Sequence, residues 1–327
     1  MRPVDVPDLV ERARKGEARA VGRLISLVED ASPALREVMA ALAPHAGRAV
    51  VVGLTGAPGV GKSTSTSALV AAYRALGRRV GVLAVDPSSP FSGGALLGDR
   101  VRMQEHATDP DVFIRSMASR GHLGGLAWAT PQALRVLDGA GCDVILVETV
   151  GVGQAEVDVA ALADSTVVLL APGMGDGIQA AKAGILEVAD VFVVNKADRD
   201  GADQTVRDLR SMIGLTGRAP GAWRQPIVKT VAARGDGVDE VVDALERHRA
   251  WLEETGELAR RRRRRACDEV EAIALTALRS RIGDLHGGNR LAELAGRVVA
   301  GELDPYAAAD ELVAGLTADS PANLTRS

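Results

Sequence analysis

The chain opens on a helical pattern of apolar residues. Val6, Leu9, Val10, Ala13, Val21, Leu24, Ile25 and Val28 recur three and four apart, with Arg, Lys and Glu between them. This spacing predicts one or two amphipathic helices over 5–28, and Pro33–Leu42 reads as another. At Arg48 the period changes. Short apolar runs now alternate with helical segments, and seven of them predict strands: Ala49–Leu54, Val80–Val85, Val112–Ile114, Asp143–Val147, Ser165–Ala171, Val191–Asn195 and Pro226–Thr230. Unbroken apolar runs imply strands buried on both sides. The pattern therefore predicts an α/β fold, a mostly parallel sheet covered by helices on both faces. The alternation fades after Ala250 and helical spacing returns as far as Leu316, with Asp304-Pro305 as an N-cap followed by proline in the first turn. The expected organisation is a helical extension over 1–47, an α/β domain over 48–250 and a helical arm over 251–327.

Composition narrows the classes of function. Among 327 residues, 39 Lys and Arg face 43 Asp and Glu, a formal net charge of −4, and there are only 3 Trp, 2 Tyr and 3 Phe. Near-neutral charge and few rings argue against a nucleic-acid binder, because base stacking needs aromatic faces. Two cysteines, Cys142 and Cys267, cannot build a disulfide framework or a CxxC site, which suits a reducing compartment. The amino-terminal residues are charged throughout and carry no apolar signal core. No apolar run approaches the ~20 residues that span a bilayer. The expectation is a soluble, cytoplasmic protein with no membrane partner.

The strongest chemical signal is Gly56-Ala57-Pro58-Gly59-Val60-Gly61-Lys62-Ser63-Thr64, which fits GxxxxGK[ST] between a predicted strand and a predicted helix, Thr64–Leu76. Glycines let backbone N–H groups close around phosphate oxygens, and the helix start adds its positive end. Lys62 is placed to reach the β- and γ-phosphates, and Ser63 to hold Mg²⁺. Asn195-Lys196-Ala197-Asp198 follows the sixth strand. An Asp carboxylate there accepts from N1–H and the 2-amino group of guanine, which adenine does not offer. Ala232, one strand later, is a candidate for backbone contact with the base. Asp86 ends the second strand, Asp99 lies in a Gly-rich loop, and Glu148 ends the fourth strand just before Thr149-Val150-Gly151. Carboxylates beside a phosphate loop suit Mg²⁺, which takes oxygen ligands. Gly151 is placed so that its N–H meets the γ-phosphate. The expected catalytic set is Lys62, Glu148 and Asp86, and the expected metal set is Ser63, Asp86, Asp99 and Glu148.

With GAPGVGKST at 56–64, VDPSSPFSGGALLGDRVRM at 85–103, ETVGVGQ at 148–154, GIQAAKAGILEVAD at 177–190 and NKAD at 195–198, the chain resembles the MeaB-like GTPases, also labelled ArgK-type. The resemblance implies a P-loop NTPase that binds GTP, GDP and Mg²⁺ and chaperones an adenosylcobalamin-dependent acyl-CoA mutase of the methylmalonyl-CoA mutase kind. It also implies a homodimer joined through the carboxyl-terminal arm, with a cobalamin adenosyltransferase as a further partner. The loop 175–182 would couple nucleotide state to the mutase, with Lys182 as coupling residue, and Asp176-Gly177 departs from the paired acids expected there. No catalytic arginine or glutamine stands out, which predicts slow turnover raised by the partner. Two other readings stay open: a nickel-type metallochaperone GTPase, set against scattered His45, His106, His122, His248 and His286, and a transport-associated or kinase-type ATPase, set against NKAD. The run Arg260–Arg265 reads as a solvated helix face or as a partner for acids on a second copy.

Overall fold

Each of the seven apolar runs forms a strand: β1 (Val50–Gly56), β2 (Val80–Asp86), β3 (Val112–Ala118), β4 (Val144–Thr149), β5 (Ser165–Leu170), β6 (Val191–Val194) and β7 (Ile227–Lys229). The computed structural model describes residues 4–86, 104–106, 108–118, 129–149, 155–173, 185–215, 221–286 and 290–318. The strands are all parallel, in the order β3-β2-β4-β1-β5-β6-β7. β3 runs four residues past its predicted end because its full length pairs with β2, from Val80↔Val112 to Asp86↔Ala118.

The helices are α1 (Val6–Arg14), α2 (Ala18–Glu29), α3 (Leu35–Leu42), α4 (Lys62–Ala75), α5 (Thr130–Gly139), α6 (Ala155–Leu162), α7 (Ile185–Val188), α8 (Ala202–Leu215), α9 (Val238–Glu254), α10 (Glu257–His286), α11 (Arg290–Val299) and α12 (Pro305–Ala318). The chain divides into two compact units, residues 1–262 and 263–327. In the first, alternate strand residues feed opposite cores. Val52, Leu54, Val144 and Leu146 pack with Leu69, Val70 and Tyr73 of α4 and with α9. Ile145 and Val147 face the other way, into a core shared with Leu24 and Ile25 of α2 and with α5. A sheet buried on both faces needs apolar residues at consecutive positions, which is why its strands lack polar alternation.

Three carboxylates hold the amino ends of the strands. Asp138 accepts from the backbone N–H of Gly47, Arg48 and Ala49, which fixes the entry to β1. Asp164 accepts from Val51 N–H at 3.1 Å, and Asp190 from Thr166 N–H at 2.8 Å. The last two are buried, and the start of α10 supplies their cations. Arg262 donates to Asp164 at 2.7 Å, and Arg261 donates to Asp190 through both terminal nitrogens at 3.0 and 3.1 Å. Arg261 and Arg262 are therefore not part of a solvated face; they pair with acids of their own chain. Arg263 and Arg264 are exposed.

His248 of α9 completes this cluster. Its Nδ1 lies 2.7 Å from Ser165 Oγ, its Nε2 lies 3.2 Å from Asp190, and its ring stacks on Trp251. Ser165, His248 and Asp190 form a row that superficially suggests a nucleophile, but Ser165 and His248 are closed to solvent and no substrate can reach the hydroxyl. The row is structural. Burial lowers the imidazole pKa to about 4, against the opposing pull of Asp190.

In the second unit α11 and α12 lie together, joined by Arg297–Glu311 at 2.9 Å, with Leu294 buried. Val270, Ile273, Leu275 and Leu278 of α10 are exposed. Among the described residues, no helix is long and apolar enough to cross a membrane.

Two measurements test the charged cluster. Arg262→Met should lower unfolding stability in urea by about 2 kcal/mol, because Asp164 keeps its burial and loses its cation. The folded chain binds the His248 proton less well than the unfolded chain, whose imidazole titrates near 6.5. That contribution is complete above pH 6.5 and is lost as pH falls from 6.5 towards 4, reaching roughly 3 kcal/mol. His248→Asn should remove this pH dependence of urea midpoints between pH 7.5 and 4.

Candidate functional site

In an open parallel sheet, ligands bind beyond the carboxyl ends of the strands, where the strand order reverses. Here that point is the end of β1. The chain leaves β1 for β2 on one side, beyond β4, whereas β5, β6 and β7 lie on the other. The order places the phosphate loop after β1 directly beside the end of β4 and two strands from the end of β6.

The loop 57–61 turns into α4 through backbone that only glycine adopts easily. Gly56 has φ +144° and Gly61 φ +97°. A Cβ on Gly56 would run into the Leu169 carbonyl, and one on Gly61 would stand 2.5 Å from Asn195 Nδ2. Lys62 Nζ crosses the loop and donates to the carbonyl of Gly56 at 2.6 Å. The first turn of α4 holds no acidic residue and no side chain caps its N-terminus, so its N–H groups and positive dipole end are left for an anion. Ala57 and Ser63 are half-buried, Pro58, Gly59 and Thr64 exposed, and Val60 buried under the loop.

Asn195 ties this loop to two others. Its Nδ2 donates to the Val60 carbonyl at 2.9 Å, while its Oδ1 accepts from Thr230 Oγ1 at 3.2 Å and from Ala232 N–H at 3.1 Å. Ala232 thus spends its N–H on Asn195. Lys196, in the left-handed region at φ +57°, donates to the Gly59 carbonyl at 2.6 Å. Asp198 projects from the same turn with nearly half its side chain exposed, and Arg234 Nη2 lies 3.8 Å from it. Four segments therefore meet at one rim: the phosphate loop, the end of β4, the 195–198 turn and the loop after β7.

Glu148, next to last in β4, lies between β1 and β2, in register with Leu54 on one side and Ala84 on the other. It is fully buried and accepts a hydrogen bond of 2.5 Å from Thr66 Oγ1. Asp86 ends the neighbouring β2, paired in register with Ala118. Ser63 lies in the first turn of α4, and Thr66 of the same helix holds the Glu148 carboxylate. A hydroxyl at the start of that helix and a buried carboxylate tied to it are oxygen donors of the kind that suits Mg²⁺, a hard cation that shares its coordination with substrate phosphates and water. Among the described residues, no three His, Cys, Asp or Glu side chains converge on a point that could hold a metal by themselves. Asp99, Gly151, Gln154 and the loop 175–182 with Lys182 lie outside the described residues.

Two side-chain contacts were not anticipated from sequence. Thr230 secures Asn195, and Thr66 holds Glu148. The second had a signal: helical spacing puts position 66 on the apolar face with Leu69, Val70 and Tyr73, where a hydroxyl needs a partner.

Comparison with known proteins agrees with this geometry. The family model described as methylmalonyl-CoA mutase-associated GTPase MeaB matches residues 21–285. A protein of Pyrococcus abyssi named as a GTPase is 48% identical over 311 residues, covering 94% of this chain and 96% of that one. GTPase ArgK of Escherichia coli is 35% identical over 266 residues, 79% of this chain and 80% of that one. The mouse mitochondrial protein named methylmalonic aciduria type A homolog is 41% identical over 214 residues, 64% of this chain and 52% of that one. A crystal structure titled LAO/AO transport system kinase superposes with a TM-score of 0.69 at 25% identity, covering 97% of this chain and 99% of that one. With a phosphate-loop sequence, an NKAD turn after β6 and a family model spanning most of its length, the chain belongs to the MeaB family of GTPases.

Proposed function

We propose that GTP binding and hydrolysis at this rim switch the protein between two states that gate cofactor loading and protection of an adenosylcobalamin-dependent acyl-CoA mutase, of the methylmalonyl-CoA mutase kind. The observation that carries the reading is the junction of phosphate loop and base turn through Asn195 and Lys196, in a chain whose family is described by its association with that mutase. A nucleotide spanning both loops would brace them against each other.

In this reading the loop 56–64 wraps the phosphates with its N–H groups, and Lys62 turns from the Gly56 carbonyl to the β- and γ-phosphate oxygens. Ser63, Glu148 and Asp86 hold Mg²⁺, with Asp99 and Gly151 completing the γ-phosphate side. When bound, the cation offsets charge on the phosphate oxygens. Asp198 accepts from the guanine edge. Phosphoryl transfer to water asks the protein mainly for positioning and charge neutralisation. By the family resemblance, the segment 175–182 couples nucleotide state to the mutase.

Two measurements test this. Asp198→Asn should weaken GTP roughly tenfold to hundredfold and improve binding of xanthosine triphosphate, since the new amide donates where guanine also donates. Unchanged nucleotide preference in isothermal titration would remove the base assignment. The isolated chain should turn GTP over at about 10⁻³ to 10⁻² s⁻¹, the scale of unassisted GTPases, and the cognate mutase should raise this roughly tenfold. Fast turnover that the mutase leaves unchanged would defeat the chaperone reading.

A further inference from the structure

Thr66 stands where a helix of this kind should carry an apolar residue. It lies on the buried face of α4 with Leu69, Val70 and Tyr73, and none of its surface reaches solvent. Threonine is a poorer helix former than alanine or leucine. A buried hydroxyl without a partner carries a desolvation cost. The residue is therefore explained by what its oxygen meets. Oγ1 lies 2.5 Å from Glu148 Oε2 and 3.1 Å from the carbonyl of Lys62, one turn back. A hydroxyl has a single proton, and of the two acceptors the carboxylate is nearer and stronger.

We propose that Thr66 is a positioning residue for Glu148, fixing that carboxylate to the same helix that presents Ser63 to the metal and phosphate site. The inference rests on the proposed role of Glu148 beside Mg²⁺. Ser63 and Thr66 are three residues apart in α4, so they rise from adjacent positions on one helix face. The helix thus carries one oxygen ligand itself and grips the second, which comes from β4. Without Thr66 the Glu148 carboxylate would lose its hydrogen bond to α4. With it, the spacing between the Ser63 hydroxyl and the Glu148 carboxylate is set by α4. The β-branched side chain helps, because few χ1 rotamers are open to threonine in a helix.

The test uses the full chain and four variants: Thr66→Val, which keeps the shape and deletes the hydroxyl, Thr66→Ser, which keeps the hydroxyl, Glu148→Gln, and the double variant Glu148→Gln/Thr66→Val. Binding of GDP is titrated calorimetrically at a series of Mg²⁺ concentrations and in EDTA, alongside kcat and KM for GTP. Thr66→Val should raise the Mg²⁺ concentration needed for half-maximal enhancement of GDP binding about tenfold, the scale seen when outer-shell partners of metal ligands are removed. It should lower kcat by a similar factor, with KM and EDTA affinity for GDP unchanged within about twofold. Thr66→Ser should recover most of both. In the Glu148→Gln background, Thr66→Val should add little further loss.

Mg²⁺ dependence unaltered by Thr66→Val would overturn the proposal, and so would losses fully additive with Glu148→Gln. If Thr66→Val lowered EDTA affinity and thermal stability together and Thr66→Ser failed to restore Mg²⁺ dependence, the residue would be structural only and the proposal would fall. Failure of the Mg²⁺ reading itself would look different. Wild-type GDP binding would then be indifferent to Mg²⁺, and Glu148→Gln would be silent.

Discussion

The side-chain amide of Asn195 is the joint on which the site depends. A planar group with donors at one end and an acceptor at the other can satisfy two surfaces at once, and here it does so across three loops. It donates to the Val60 carbonyl and accepts from Thr230 and Ala232, so the ends of β1, β6 and β7 converge on one residue. Burial strengthens these bonds and makes any unmade bond costly, which leaves the arrangement few alternatives. Gly61 follows from the same constraint. The amide nitrogen occupies the space where a Cβ would stand, so the phosphate loop can turn into its helix only through glycine. The loop is therefore shaped by a residue more than 130 positions away as much as by its own glycines.

The two ends of the sheet use polar groups in opposite ways. At the amino ends, acids are consumed by structure. Asp138, Asp164 and Asp190 accept from backbone N–H groups at strand entries, and Arg261 and Arg262 balance the two buried ones. Each charge there is spoken for within the chain, and the buried imidazole of His248 is kept neutral. At the carboxyl ends, the start of α4 carries no side-chain cap, and a buried carboxylate accepts from a hydroxyl of that helix. The strand entries are thus tied within the chain, whereas the rim leaves backbone donors at the helix start for an anion.

Local chemistry made much of this readable. The seven apolar runs became seven strands because a doubly covered parallel sheet has no polar face to hide its pattern, and the phosphate loop was legible because its glycines, lysine and serine must be contiguous to cradle one group. The long-range pairings were not legible. The run Arg260–Arg265 looks uniform as text, yet two of its members reach buried acids and Arg263 and Arg264 face solvent. Nothing in the sequence pairs the Ala232 N–H with the Asn195 side chain. Thr66 carried no reading from the sequence, and only the fold puts it against Glu148.

By itself, the sequence determined the fold class, the position of the phosphate loop, the NKAD turn after the sixth strand and the family. All of these rest on periodicity or on residues adjacent in the chain, where backbone geometry leaves little choice. The tertiary structure decided which buried groups meet: Asn195 with Val60, Glu148 with Thr66, Asp164 with Arg262. Those choices depend on strand order and helix placement, which bring together residues 82 to 135 positions apart. They are decided by the cost of leaving a buried polar atom without a partner, a cost that exists only once the chain has folded around it.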